Sequence, residues 1–265
     1  MIAFHRIVLV NILDKGQNMP LLSVIIITKN EAHNIEDCLK SVAWADEIVV
    51  FDSGSTDNTV DICRRYTDKV FITDWPGYGA QKQRALEAAT GEWVLSIDAD
   101  ERVMPQLKAE ILSQIPHTSY DAFEITFSSE YCQKVIRFGD WWHDTQAVLF
   151  RRNQARFISL LAHERIEIQG NIGNLKSNIH HLAYPNLDLV LKKMNDYSSL
   201  SAKQKQTEGA KGSVLKAVFR GLWTFMRGYI FRLGFLDGKE GFLLAISNAE
   251  GTYYKYIKLM YLNKS

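Results

Sequence analysis

The sequence predicts an α/β protein: a mostly parallel, nucleotide-binding type of sheet flanked by helices, with a mixed or antiparallel addition and a C-terminal helical region. Three observations carry this expectation. From Leu21, short β-branched runs alternate with amphipathic stretches, the pattern of parallel strands joined by crossover helices. After Tyr120 the strand-like runs lie closer together, with loops and no long helix between them. From Leu187 onward the chain reads as helical.

The first strand is expected over residues 21–27, directly after Met19-Pro20, and an amphipathic helix follows over 35–42. A strand over 47–51 closes on Val49-Val50-Phe51, and the helix over 58–66 behind it starts where Thr56 or Asp57 can cap it. Next come a strand over 69–72 and a helix over 79–89, entered from a loop bearing Gly77 and Gly79. The run Trp93-Val94-Leu95-Ser96-Ile97 has the composition of a buried strand, and a helix over 105–114 completes four β–α units. Strands at 122–127, 146–151 and 163–168 form the mixed addition, and an amphipathic basic segment runs from Ser213 to Phe235.

The composition is globular: 265 residues, 46% hydrophobic and 23% charged, enough for one large domain or one domain with an appendage. Disordered, collagen-like and low-complexity classes are excluded. The net charge of +1 hides an asymmetry, because residues 192–265 carry 13 Lys and Arg against 5 Asp and Glu, whereas residues 1–191 carry 18 against 25. A basic tail on an acidic body implies an anionic partner. Cys38, Cys63 and Cys132 are widely spaced, which fits a reducing cytoplasmic compartment. No apolar run reaches the roughly 18 residues needed to span a bilayer, since residues 214–235 are interrupted by Lys216, Arg220, Arg227 and Arg232. Residues 1–18 lack the cationic start and cleavage site of a signal peptide, and are expected to be an extension outside the fold.

Ligands of open α/β sheets bind beyond the carboxyl ends of the strands. Three polar clusters fall there: Thr28-Lys29-Asn30-Glu31, Asp52-Ser53-Gly54-Ser55-Thr56-Asp57 and Asp98-Ala99-Asp100-Glu101. Carboxylates emerging from a buried strand at Asp98 and Asp100 suit Mg²⁺ or Mn²⁺, which complete their shells with water and substrate phosphate. Asp52 is placed to accept from a ribose hydroxyl or a base N–H. Lys82 and Arg84, near a helix start, favour a diphosphate. Neither a GxGxxG nor a GxxxxGK[ST] motif is present, which removes the dinucleotide dehydrogenases and P-loop NTPases. A GxSxG elbow is absent too.

The opening Ser23-Val24-Ile25-Ile26-Ile27-Thr28-Lys29-Asn30-Glu31, the Asp52-Ser53-Gly54-Ser55-Thr56-Asp57 turn, the Gly77-to-Lys82 stretch (Gly, three residues, Gln, Lys) and Asp98-Ala99-Asp100-Glu101 occur in family-like order and spacing. On these the chain resembles the family 2 glycosyltransferases of GT-A fold. His143-Asp144, Leu149-Phe150-Arg151-Arg152, His163-Glu164 and Gly234-Phe235-Leu236-Asp237-Gly238 further resemble bacterial lipopolysaccharide core β-glucosyltransferases. The resemblance implies a UDP-sugar donor, with Thr28, Asn30, Glu31, Asp52, Ser53 and Gly54 around the nucleoside and Lys82 and Arg84 near the phosphates. It implies that Asp98 faces the ribose, that Asp100 and His163 hold the divalent metal, and that Glu164, or else Asp144, is the general base of an inverting transfer.

On that footing, residues 19–120 form the nucleotide-sugar half, 121–186 the acceptor and catalytic half, and 187–265 a basic, membrane-associating helical region. The expected reaction moves a hexose, glucose, to a heptose of the lipopolysaccharide inner core; the rival acceptor is a polyprenyl phosphate. A sugar nucleotidyltransferase would show a Gly-rich, Arg-containing loop where Thr28-Lys29-Asn30-Glu31 stands. At 100° per residue, Lys216, Arg220 and Arg227 fall within about 40° of one another beside aromatic residues. Interfacial helices use that arrangement against anionic lipid, so the partner expected is the inner face of the inner membrane and not nucleic acid. Trp141 and Trp142 either wall the acceptor sugar or pack in the core. His180 and His181, adjacent on a strand, would point to opposite faces and not ligate one ion together.

Overall fold

Seven consecutive buried residues make the first strand, β1 (Leu22–Thr28), in a computed structural model that describes residues 21–159 and 164–264, with the backbone alone at positions 159 and 164. Continuous burial is what a parallel strand covered on both faces requires. Chain order continues with α1 (Ile35–Val42), β2 (Glu47–Asp52), α2 (Thr59–Cys63), β3 (Val70–Ile72), α3 (Tyr78–Ala88), β4 (Trp93–Asp98), β5 (Glu101–Val103) and α4 (Pro105–Gln114). Val24 and Ile26 of β1 share one core with Leu39 of α1 and Leu107 and Ile111 of α4. Ile25 and Ile27 point the other way, to Ala85 and Leu86 of α3. The period of two along the strand thus supplies both layers of the core.

The second half adds β6 (Ala122–Tyr131), β7 (Lys134–Val135), β8 (Thr145–Arg151), β9 (Ala155–Ser159), β10 (Glu164–Ile168) and β11 (Ile172–Tyr184). The large sheet runs β3-β2-β1-β4-β8-β6-β11-β5, with β7 paired to β6. Strands β3, β2, β1 and β4 are parallel, and β8 is antiparallel to both β4 and β6. The mixed addition expected after Tyr120 is present: its first two strands, β6 and β8, continue the same sheet, whereas the third, β10, lies outside it. Strand β11 pairs in parallel with β6 and antiparallel with β5, so His181 lies opposite Glu101. β9 and β10 form a separate antiparallel ribbon against α3. The expectations for residues 1–18 and for His163 lie outside the described residues.

Three helices close the chain: α5 (Leu187–Thr207), α6 (Val214–Phe225) and α7 (Gly238–Leu262), with α7 packed on both of the others. Ser213 caps α6 by accepting from the Lys216 N–H at 3.2 Å. α6 turns Ala217, Gly221 and Thr224 inward and leaves Leu215, Phe219 and Leu222 outward, at 68%, 65% and 58% exposure. A π-helical turn, Met226–Phe231, then breaks the 100° phase expected across residues 213–235. Arg227 accordingly meets Asp140 at 3.0 Å, as does Arg232 at 3.1 Å, so these two tail cations are ion-paired within the protein. Gly241 is required for close approach, because a Cβ there would lie 1.9 Å from the Gly234 carbonyl oxygen. Among the described residues no helix is long and apolar enough to cross a membrane.

Candidate active site

Parallel register brings the strand ends together. Ile27 lies opposite Asp98 and Thr28 opposite Asp52, so the polar residues after β1, β2 and β4 share one edge of the sheet. Beyond that edge is an open cavity of about 830 Å³. Thr28, Glu31, Asp98, Asp100, Asp144, His181 and Lys193 are among the residues that line it. Trp75 and Tyr78, an edge-to-face pair 4.8 Å apart, also border it. So does Trp141, stacked on Tyr184 at 5.5 Å.

Asp100, Glu101 and His181 form the group best placed to hold a cation, with ligand atoms all within 4.8 Å of one another. Glu101 is buried and its carboxylate accepts from the Asp98 N–H at 2.9 Å, while Asp100 and His181 face the cavity. Burial, reinforced by Asp98 and Asp100, pushes the Glu101 carboxyl well above the usual range. For Asp100 burial acts in the same direction, but the nearby His181 ring and the charge of Lys193 outweigh it and hold the carboxyl low. The distances from Asp100 Oδ2 are 3.6 Å to His181 Nε2 and 3.8 Å to Lys193 Nζ. Ser129 Oγ sits 3.2 Å from His181 Nδ1 and fixes the ring, as the hydrogen-bonded second nitrogen of a ligating histidine commonly does. Carboxylate oxygens suit Mg²⁺ and Mn²⁺ alike, and the added imidazole leans toward the transition ion.

The remaining predicted residues divide by what they touch. Lys82, 9% exposed on α3, reaches the cavity rim through an ion pair with Asp98 at 3.1 Å. The Asp52 carboxylate is engaged by its own turn, accepting from the N–H groups of Gly54 and Ser55 at 2.9 and 2.7 Å and from the Ser55 hydroxyl. Gly54 carries the φ of +77° that closes this turn. Asn30 locks the neighbouring loop, its Oδ1 accepting from the Thr56 N–H at 2.7 Å. Ser53 Oγ accepts from Gln81 Nε2 at 3.1 Å. Arg84 is 2.8 Å from Asp74 and is not among the described side chains of the cavity wall. Asp144 borders the cavity after a residue with φ of +54°, His143. The Glu164 backbone opens β10, pairing with Ser159; its side chain lies outside the described residues, as does His163.

Sequence reasoning missed His181, Lys193, Tyr184, Trp75 and Tyr78. The histidine pair was visible, and its two rings do point apart: His180 Nε2 meets Glu130 at 3.2 Å on the other face. One ring suffices, however, and only the pairing of β11 with β5 shows that it faces Asp100. Nothing local marks Lys193 on α5.

The family model for glycosyl transferase family 2 matches residues 23–181. The chain belongs to this family. An uncharacterized glycosyltransferase of Rickettsia felis is 30% identical, over 91% of this chain and 90% of that one. The lipopolysaccharide core biosynthesis glycosyltransferase LpsC of Rhizobium meliloti is 32% identical, over 86% and 87%. In three dimensions this family 2 glycosyltransferase shares its fold with glucosyl-3-phosphoglycerate synthase from Mycobacterium tuberculosis in complex with phosphoglyceric acid. That match has a TM-score of 0.50 and 17% identity and covers 74% of this chain and 82% of the synthase.

Proposed function

We propose that the protein transfers glucose from UDP-glucose, with inversion, to a heptose of the lipopolysaccharide inner core, working at the inner face of the inner membrane. The observation that carries the reading is the cavity in which Asp100 and His181 stand beside the Lys82–Asp98 pair and face an aromatic wall. The likeness to LpsC supports the acceptor class. Residues 19–120 serve the donor, 121–186 the acceptor, and 187–265 the membrane.

Asp100 and His181 would hold Mg²⁺ or Mn²⁺, which supplies a positive charge to the departing diphosphate. Asp98 holds the Lys82 ammonium at the same edge, a second positive charge beside the departing diphosphate. Trp141, braced on Tyr184, offers a flat face to a sugar ring. Asp144 takes the proton of the acceptor hydroxyl as that oxygen bonds to the anomeric carbon and the bond to UDP breaks. Such a base contributes about 10²–10⁴-fold. Glu164 is the other candidate for this role: whichever of Asp144→Asn and Glu164→Gln lowers kcat by that amount, with donor binding unchanged, identifies it. The outward apolar face of α6 seats the enzyme on lipid.

The test is Asp100→Ala. Manganese-enhanced binding of UDP, read by calorimetry, and transfer from UDP-glucose to truncated lipopolysaccharide should both be lost while the fold is retained, because Asp100 stands at a strand end. Full activity in the variant would reject the metal role, and transfer to polyprenyl phosphate alone would reject the acceptor.

A further inference from the structure

A second cavity, of about 180 Å³, opens between α5 and α7. Val190 and Met194 of α5 and Leu244 of α7 form its apolar part, and Ser201, Thr252 and Lys255 bring polar groups. No Asp or Glu is among its described lining residues. Lys255 is half-buried and makes no ion pair or side-chain hydrogen bond among the described residues; its ammonium lies 5.3 Å from the Tyr256 ring. Burial lowers its pKa, and the charges of Lys205, Arg220 and Arg227 lower it further. Lys205 has Glu208 at 3.8 Å and Arg227 has Asp140 at 3.0 Å, but Arg220 has no acidic partner among the described residues.

Lys255 therefore feels three further cations, from α5, α6 and the π turn, while it borders a hollow whose described lining carries no counter-charge. A partly desolvated ammonium among neutral walls and like charges is costly without an anion. Two residues, Tyr184 and Tyr197, line both this cavity and the one holding Asp100, so the two cavities are neighbours. Along α6, Arg220 also borders the outward apolar face.

We propose that the α5–α7 cavity binds a phosphate group, with Lys255 as its direct contact and Arg220 and Lys205 as supporting charges. The phosphate is carried either by the saccharide acceptor or by a membrane phospholipid. Assignment to the acceptor rests on the proposed function; the existence of the site does not.

Pulse acetylation of the whole protein, read lysine by lysine by mass spectrometry, tests this without requiring sugar transfer. Inorganic phosphate should slow modification of Lys255 about tenfold at ten times its dissociation constant, and leave the exposed Lys239 unaffected. Arg220→Gln, at an exposed position, should weaken the protection while the melting temperature holds. Equal protection by sodium chloride at matched ionic strength, no protection, or protection indifferent to Arg220→Gln would overturn the site. Two further arms separate the sources. Protection by phosphorylated core oligosaccharide, but not by its dephosphorylated form, assigns the acceptor. Protection by phosphatidylglycerol vesicles, but not phosphatidylcholine vesicles, assigns the membrane. Failure of both arms while inorganic phosphate protects overturns both assignments.

Discussion

At Asp100 two opposing influences meet: burial favours the neutral acid, while His181 and Lys193 favour the carboxylate and win. A carboxylate held ionised beside a ring fixed by Ser129 is a donor set ready for a cation. His181→Ala should therefore weaken manganese-dependent UDP binding about 10–100-fold, whereas His180→Ala, on the opposite face with Glu130, should leave it unchanged. Calorimetry on the two variants decides, and an equal loss in both would mean that the strand, not the ring, matters. Asp52 gives the reverse lesson at this scale. Its position at a strand end was legible, but its oxygens satisfy the N–H groups of the turn that follows. A polar side chain has a fixed bonding capacity, and sequence alone does not show how much of it the backbone consumes.

At the scale of elements, Glu47 joins the start of β2 to its neighbours: it pairs with Lys69, accepts from Ser23, and accepts from the Thr90 N–H at 2.7 Å. Burial opposes the charge, but these partners bring its pKa down to about 2 from an ordinary 4.5. A lowered carboxyl stabilises the fold above its unfolded pKa, and that contribution fades as pH falls from 4.5 toward 2. Glu47→Gln should thus cost on the order of 2 kcal/mol at pH 7, allowing for solvent screening, and the gap from the parent should narrow toward pH 2. Urea titrations at a series of pH values measure it; a pH-independent gap would refute the charge's part. For α6, the exposed face supports a different expectation. Phe219→Asp with Leu222→Asp should abolish co-sedimentation with anionic vesicles and shift stability by only about 0.5 kcal/mol, because both residues are exposed. Retained binding would dismiss that face as the contact.

Across the whole molecule, Asp140 ties the C-terminal helices to the sheet half. Its carboxylate, 10% exposed, meets Arg227 and Arg232 and accepts from Asn248 Nδ2 at 3.4 Å. Asp140→Ala strands two guanidinium groups that are half in solvent, so the cost should be about 1–2 kcal/mol, less than for a fully buried pair. At this chain length that lowers the melting temperature by about 2–8 °C, measurable by calorimetry; an unchanged melting temperature would show that the helices dock without it. The same contact shows why charge counting overstated the basic tail. Two of its cations face an acid on a distant loop, and α6 meets solvent chiefly through apolar residues.

The chain by itself determined the alternation of strands and crossover helices up to Gln114, because β-branched runs and amphipathic periods are local properties. It also determined that Thr28, Asp52 and Asp98 end neighbouring strands, since parallel topology sends all carboxyl ends to one edge. Tertiary structure alone decided the full extent of β11 and which strands it joins, beyond the short stretch around His180 and His181 that already reads as extended. Its sequence, Ile172 to Tyr184, is half polar and becomes extended by pairing with β6 and β5. It alone decided that His181 and Lys193 meet Asp100 and that Lys255 faces a hollow without an acid. Those encounters depend on register and helix docking between segments far apart in the chain, and such long-range pairings leave no periodic mark in the residues that make them.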